Sequence, residues 1–150
     1  MKIHIKSMKG DKYMKDRLNR DEMFYRLAHI NIGLERKEDV LKDLNKVSNP
    51  NFQDLQGTSY LHMACQSHCY DAIKVLLELG ADPNINNNYG KSPILKAIGS
   101  INENNNAILE LMLQYGLDLD KMEGDVTLKE MIESFSNVEM NKIVNKYYHK

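Results

Sequence analysis

Gly57-Thr58-Ser59-Tyr60-Leu61-His62-Met63-Ala64 returns thirty-three residues later, with changes, as Gly90-Lys91-Ser92-Pro93-Ile94-Leu95-Lys96-Ala97. The same step carries Ser48-Asn49-Pro50-Asn51 onto Ala81-Asp82-Pro83-Asn84, Val40 onto Ile73 and Leu44 onto Leu77. Four separate matches at one period identify a tandem repeat. Units of that length bury their apolar faces against their neighbours.

One unit can be read physically. A short helix begins near Ser59, and near Ser92 in the next unit, with the serine hydroxyl expected to cap free backbone N–H groups. Pro93 falls just inside its helix, where the missing N–H costs nothing. A second helix is predicted over residues 71–79, with Ile73, Val75, Leu76 and Leu77 making too broad an apolar face for a lone surface helix. Gly80 should end it. Ala81-Asp82-Pro83-Asn84 then turns outward to a polar tip, Asn86-Asn87-Asn88. Gly90 closes that tip with a positive φ that glycine accepts readily.

These residues carry a family resemblance. Asp54-x-x-Gly57-x-Ser59-Tyr60-Leu61-His62-x-Ala64, followed by Ala72-Ile73-Lys74-Val75-Leu76-Leu77-x-x-Gly80-Ala81-Asp82-Pro83-Asn84, resembles one complete ankyrin repeat, with Ser59 in place of the threonine and Tyr60 in place of the proline. A second full repeat has Ser92-Pro93-Ile94-Leu95-x-Ala97 and Leu111-x-Leu113-x-x-Gly116-x-Asp118. It is about three residues longer, the surplus falling at 101–106, between its helices. Residues 21–47 read as two helices broken at Ile32-Gly33, and Gly124-Asp125-Val126-Thr127-Leu128 echoes a repeat start before two short helices. Such degenerate ends suit terminal caps with a polar outer face. The resemblance implies an all-α ankyrin-repeat solenoid of about four helix pairs over 21–150, with full repeats at about 54–86 and 87–120. Residues 1–20 form a basic arm, in which Ile3-x-Ile5 suggests a short strand and Tyr13-Met14-x-x-x-Leu18 a helix leaning on the first repeat.

Bulk properties agree. The 150 residues are 42% hydrophobic and 27% charged, which is globular composition rather than disorder. Residues 1–20 carry seven Lys or Arg against two Asp, a net of +5; with formal totals of 20 basic and 21 acidic residues, this leaves thirteen against nineteen, a net of −6, over 21–150. The overall balance suggests neither a nucleic-acid nor a membrane-surface protein. No apolar run approaches the roughly 18 residues that span a bilayer. The start lacks a signal-peptide core, so a cytoplasmic location with Cys65 and Cys69 reduced is expected.

His62, Cys65, His68 and Cys69 lie within eight residues and are zinc-ligand types. The resemblance gives them structural places instead. His62 stands where ankyrin histidines bond neighbouring loops, Cys65 where a small buried residue packs, and His68 and Cys69 in the turn between helices. The pairs Glu38-Asp39 and Asp118-x-Asp120 come with no evident base, and no G-x-x-x-x-G-K-[ST] or G-x-G-x-x-G occurs. No enzyme activity, cofactor, metal or small-molecule substrate is expected.

The family likeness instead implies a partner protein bound in the concave groove. Leu55, Gln56 and Thr58 map to one turn tip and Asn88, Tyr89 and Lys91 to the next. Gln66 maps to the end of an inner helix, and Leu79 and Tyr115 to the ends of outer ones. Tyrosine is a favoured interface anchor, large and amphipathic. The 57–66 stretch and the Asn-rich insert are similar to short bacterial ankyrin proteins, many of which look like immunity proteins that bind a cognate toxin domain. A secreted or viral effector that binds a host protein, and a metal- or redox-responsive regulator, are the alternatives.

Overall fold

A computed structural model describes residues 9–148, with side chains from Asn19 onward. The Ile3-x-Ile5 strand and the side chains of Tyr13, Met14 and Leu18 lie outside the described residues. The elements are α1 (Lys9–Ala28), α2 (Lys37–Leu44), α3 (Tyr60–Gln66), α4 (Tyr70–Glu78), α5 (Pro93–Ile98), α6 (Asn105–Gln114), the strands β1 (Met122–Glu123) and β2 (Val126–Thr127), then α7 (Leu128–Glu133) and α8 (Val138–Tyr147).

The helices form consecutive antiparallel pairs, α1 with α2, α3 with α4, α5 with α6 and α7 with α8. Inner helices α1, α3 and α5 stack in order, as do outer helices α2, α4, α6 and α8. This is the all-α, two-layer solenoid that the repeat implies. One apolar core runs the length of the stack, from Met23 and Leu27 through Leu61, Leu76 and Leu109 to Ile132 and Val144. The terminal pairs therefore share the core of the central ones.

Local chemistry explains most boundaries. The Ser59 hydroxyl accepts from the His62 amide and starts α3 as expected. Ser92 does not act this way. It occupies the N-cap of α5 but makes no capping bond, and its hydroxyl donates instead to the buried Glu123 carboxylate of the next hairpin. The Leu95 amide, which such a cap would meet, donates instead to the Ser92 carbonyl (3.3 Å), and Pro93 at the helix start is pre-set for helical φ. Gly80 follows the α4 C-cap at φ 96°, and Gly90 closes its tip at φ 73°. The surplus in the longer repeat is a six-residue link, 99–104, between α5 and α6 where α3 and α4 are joined by three. At the amino-terminal end, α1 runs unbroken across residues 20 and 21.

Candidate functional site

Each hairpin tip is bolted to the next by side chains that recur with the repeat. Asn51 accepts from the Asp82 amide (2.7 Å) and donates to the Gly80 carbonyl (3.3 Å). Asn84 does the same one repeat on, to Asp118 (2.7 Å) and Gly116 (2.9 Å). At the tips, the Asn88 amide donates to the Gln56 carbonyl (2.9 Å) and its side chain to the Leu55 carbonyl (2.8 Å). The next tip is tied back by the Lys121 ammonium, which bonds Asn86, Ser92 and Glu123. Polar groups matched in this way, one after another along the repeat, hold the tips in a fixed row.

His62 belongs to this scaffold. Its Nδ1 accepts from the Ser59 amide (3.2 Å), and its Nε2 lies 2.9 Å from the Lys91 carbonyl. A carbonyl only accepts, so Nε2 carries the proton and the ring is neutral. Burial pushes the imidazolium below its ordinary range, opposed by the bond to Lys91. The unfolded chain therefore binds more protons below about pH 6.5, the ordinary histidine value. This contribution to stability is complete above that pH and is lost as the pH falls from there through the folded value. His62→Ala is expected to cost about 1–3 kcal/mol at pH 8. The gap between wild type and variant should narrow toward pH 5 in urea melts; a gap independent of pH would contradict the buried neutral ring.

The other members of the apparent zinc cluster are also in structural use. His68 Nε2 lies 2.8 Å from the Ala97 carbonyl. Cys65 and Cys69 are free and buried, and burial pushes both thiols up, away from the reactive thiolate. Among the described residues, no three His, Cys, Asp or Glu side chains come together to hold a metal ion.

The structure gathers most of the residues expected to bind a partner. Leu55, Gln56, Thr58, Asn88, Tyr89 and Lys91 lie on two adjacent, mutually bonded tips. Leu55 is 96% exposed and Tyr89 73%. Gln66 is exposed at the far end of α3, roughly 10 Å along the helix from the tips. Tyr115 is the C-cap of outer helix α6, in the other layer. Sequence reading passed over Met122, 53% exposed on the third tip. It sits two residues before Gly124, as Leu55 sits before Gly57, and that offset is the signal that could have found it.

Ankyrin repeats, in three copies, match residues 28–123. The chain is 39% identical over 71 residues to an ADP-ribosylation factor GTPase-activating protein of Arabidopsis thaliana, covering 47% of this chain and 9% of that protein. It is 29% identical over 76 residues to a putative ankyrin repeat protein of Acanthamoeba polyphaga mimivirus, covering 51% and 17%. A putative ankyrin repeat protein of Rickettsia felis is 36% identical over 61 residues, covering 41% and 23%. The matched stretch is thus less than a quarter of each relative's own length. Among the described residues, no helix is long and apolar enough to cross a membrane. Three matched copies, the helix pairs and the histidine and asparagine bonds between tips lead to one assignment: the chain belongs to the ankyrin-repeat family, whose repeats are generally non-catalytic modules that bind other proteins.

Proposed function

We propose that this chain holds a partner protein across its row of hairpin tips, and that the partner is a basic toxin domain neutralised by capture in the cytoplasm. The observation that carries the binding face is the row itself. Leu55, Tyr89 and Met122 stand exposed, one per hairpin, on tips tied together by bonds from Asn88 and Lys121. Exposed apolar side chains on a rigid backbone favour association, because little order has to be created on binding. Gln56, Thr58, Asn88 and Lys91 supply a polar rim. Gln66 and Tyr115 mark the outer limits of the contact. The net of −6 over residues 21–150 favours a basic partner, since opposite charge speeds encounter.

Tyr89→Ala is expected to weaken partner binding by at least about tenfold, the loss of an anchor worth about 2 kcal/mol. Titration calorimetry against the purified partner reads this directly. Lys74, exposed on outer helix α4, supplies the control, and Lys74→Ala should bind as wild type does. In cells making the toxin, the Tyr89 variant should fail to protect. Loss of binding in Lys74→Ala, with Tyr89→Ala unaffected, would place the partner on the convex side. The relatives from the mimivirus and from Rickettsia favour a second reading, an effector aimed at a host protein. A partner from host extract, rather than one encoded beside this chain, would decide for it.

A further inference from the structure

Beside the first hairpin lies a cavity of about 490 Å³, lined by Arg20, Arg26, Asp43, Lys46, Phe52 and Tyr60 among others. We propose that it is an anion-recognition pocket, which takes an acidic side chain of the partner protein and seats an apolar neighbour of that residue against its aromatic wall. This rests on the protein-binding reading above and adds a second anchor to it.

The space follows from the chain's departure from its own repeat. Inner helices α3, α5 and α7 each start at a hairpin, at Ser59, Ser92 and Thr127. The first inner helix instead continues straight back to Lys9, so among the described residues no hairpin stands before Asn19 and Arg20 as one stands before the other inner helices. Phe24 packs against both rings, at 6.0 and 4.7 Å between centroids, and fixes them as one wall. Met23 and Val47 extend the apolar surface. The volume falls within the range of roughly 300–1,000 Å³ usual for ligand pockets.

The polar groups choose the sign of the ligand. Arg26 is fully committed, donating to both oxygens of Glu35 at 2.8 and 2.9 Å and to Asp43 at 2.9 Å. Arg26 thus serves two carboxylates at once, Glu35 and Asp43. Arg20 has no carboxylate partner among the described residues; its guanidinium lies over the Phe52 ring, 4.4 Å from the centroid, and its Nε is buried without a hydrogen bond. Lys46 is exposed, with no ion pair among the described residues. Tyr60 is only 2% exposed and lines the cavity. Burial pushes that phenol up to about 12, so it remains a neutral donor. The Arg20 Nε is thus a buried donor without a match, with the Lys46 ammonium and the Tyr60 hydroxyl at the same cavity, and native proteins leave few buried donors unmatched. Glu22, also at the lining, has no ion pair among the described residues and opposes these donors, as does the Asp43 that shares Arg26 with Glu35. A carboxylate satisfies these donors, and an ammonium does not.

The occupant follows from position. Phe52 precedes the tip residue Leu55 by three residues, roughly 10 Å of extended chain. An extended segment lying on the tips therefore reaches the pocket. Uncommitted cationic donors on an otherwise acidic surface then help fix the register of a basic partner, by seating an acidic residue where the rest of its surface is basic.

The test is a titration of the isotope-labelled full chain, followed by amide and arginine Nε–H nuclear magnetic resonance. The probes are N-acetyl-Asp-Phe amide, its Asn-Phe counterpart and sodium acetate, each taken to millimolar concentration. The Asp-Phe peptide should shift signals of Arg20, Lys46 and Phe52, with affinity about tenfold above that of the Asn-Phe peptide, as expected for a charge-assisted contact. Arg20→Gln should abolish the shifts. Lys46→Gln, at an exposed site that does not threaten folding, should weaken binding severalfold. Tyr89→Ala should titrate as wild type, so failure of the tip reading and failure of the pocket remain distinguishable. Equal binding of Asp-Phe and Asn-Phe peptides, no binding of either, or acetate matching the Asp-Phe peptide would overturn the proposal.

Discussion

Removing residues 121–150 is expected to destroy cooperative folding. That segment supplies Leu128, Ile132, Met140 and Val144, all buried in the shared core. It also supplies Lys121 and Glu123, the partners of Asn86 and Ser92. Without it, the flank of α5 and α6 faces water. Exposing roughly 400 Å² of apolar surface at about 25 cal/mol per Å² gives a gross loss of about 10 kcal/mol. That is comparable with the whole stability of an ordinary domain, about 5–15 kcal/mol. The deleted residues also need no longer be ordered, so the net loss is smaller than the gross. Residues 1–120 should still associate through the exposed flank, and lose the sharp thermal transition of the full chain. Light scattering and calorimetry together check this. A monomeric 1–120 with an unchanged transition would show that the last helix pair is an appendage rather than a cap.

The second large effect separates two glycines that look alike in the sequence. Gly57 and Gly90 occupy the same place one repeat apart, and both have positive φ, 78° and 73°. A Cβ on Gly90 would meet nothing within 4 Å, whereas one on Gly57 would lie 2.6 Å from the backbone nitrogen of Asn88. Gly90→Ala therefore carries only the left-handed strain, about 1–2 kcal/mol. Gly57→Ala carries that strain and also forces the two tips apart, weakening the bonds of Asn88 to Gln56 and Leu55. We expect a total of about 3 kcal/mol or more, as strain and lost hydrogen bonds combine. At this chain length that is a fall in melting temperature of about 6–12 °C, against about 2–8 °C for Gly90→Ala. Equal shifts in the two variants would mean that the tips do not touch as described.

These glycines also show what a sequence can and cannot disclose. The period of thirty-three, the positive φ at Gly90 and the longer link between α5 and α6 are local features, each visible in a single repeat or by laying two together, although the link expected at 101–106 is found at 99–104, with Asn105 and Asn106 opening α6. The role of His62 follows from its place in the motif, and its bond to Lys91 agrees. What escapes is whatever one repeat does to another where the motif lapses. Leu95 stands where the histidine would be, and the junction it serves is held from the opposite direction, by Glu123 reaching back to Ser92. Nothing in the spacing of those two residues announces the contact. The Arg20, Phe52 and Tyr60 pocket escapes for the same reason. It lies beside α1, which runs as one long helix at the degenerate end where the repeat gives no guidance. Met122 was legible by its offset from Gly124, but the surrounding echo is short.

Site-resolved cross-linking tests the binding face most directly. A photoreactive amino acid is placed singly at Leu55, Tyr89, Met122 and, on the outer layer, Lys74, and the chain is irradiated with its partner protein. Binding across the tips gives one adduct of the same mass from Leu55, Tyr89 and Met122 and none from Lys74. An adduct from Lys74 with none from the three tips would contradict it.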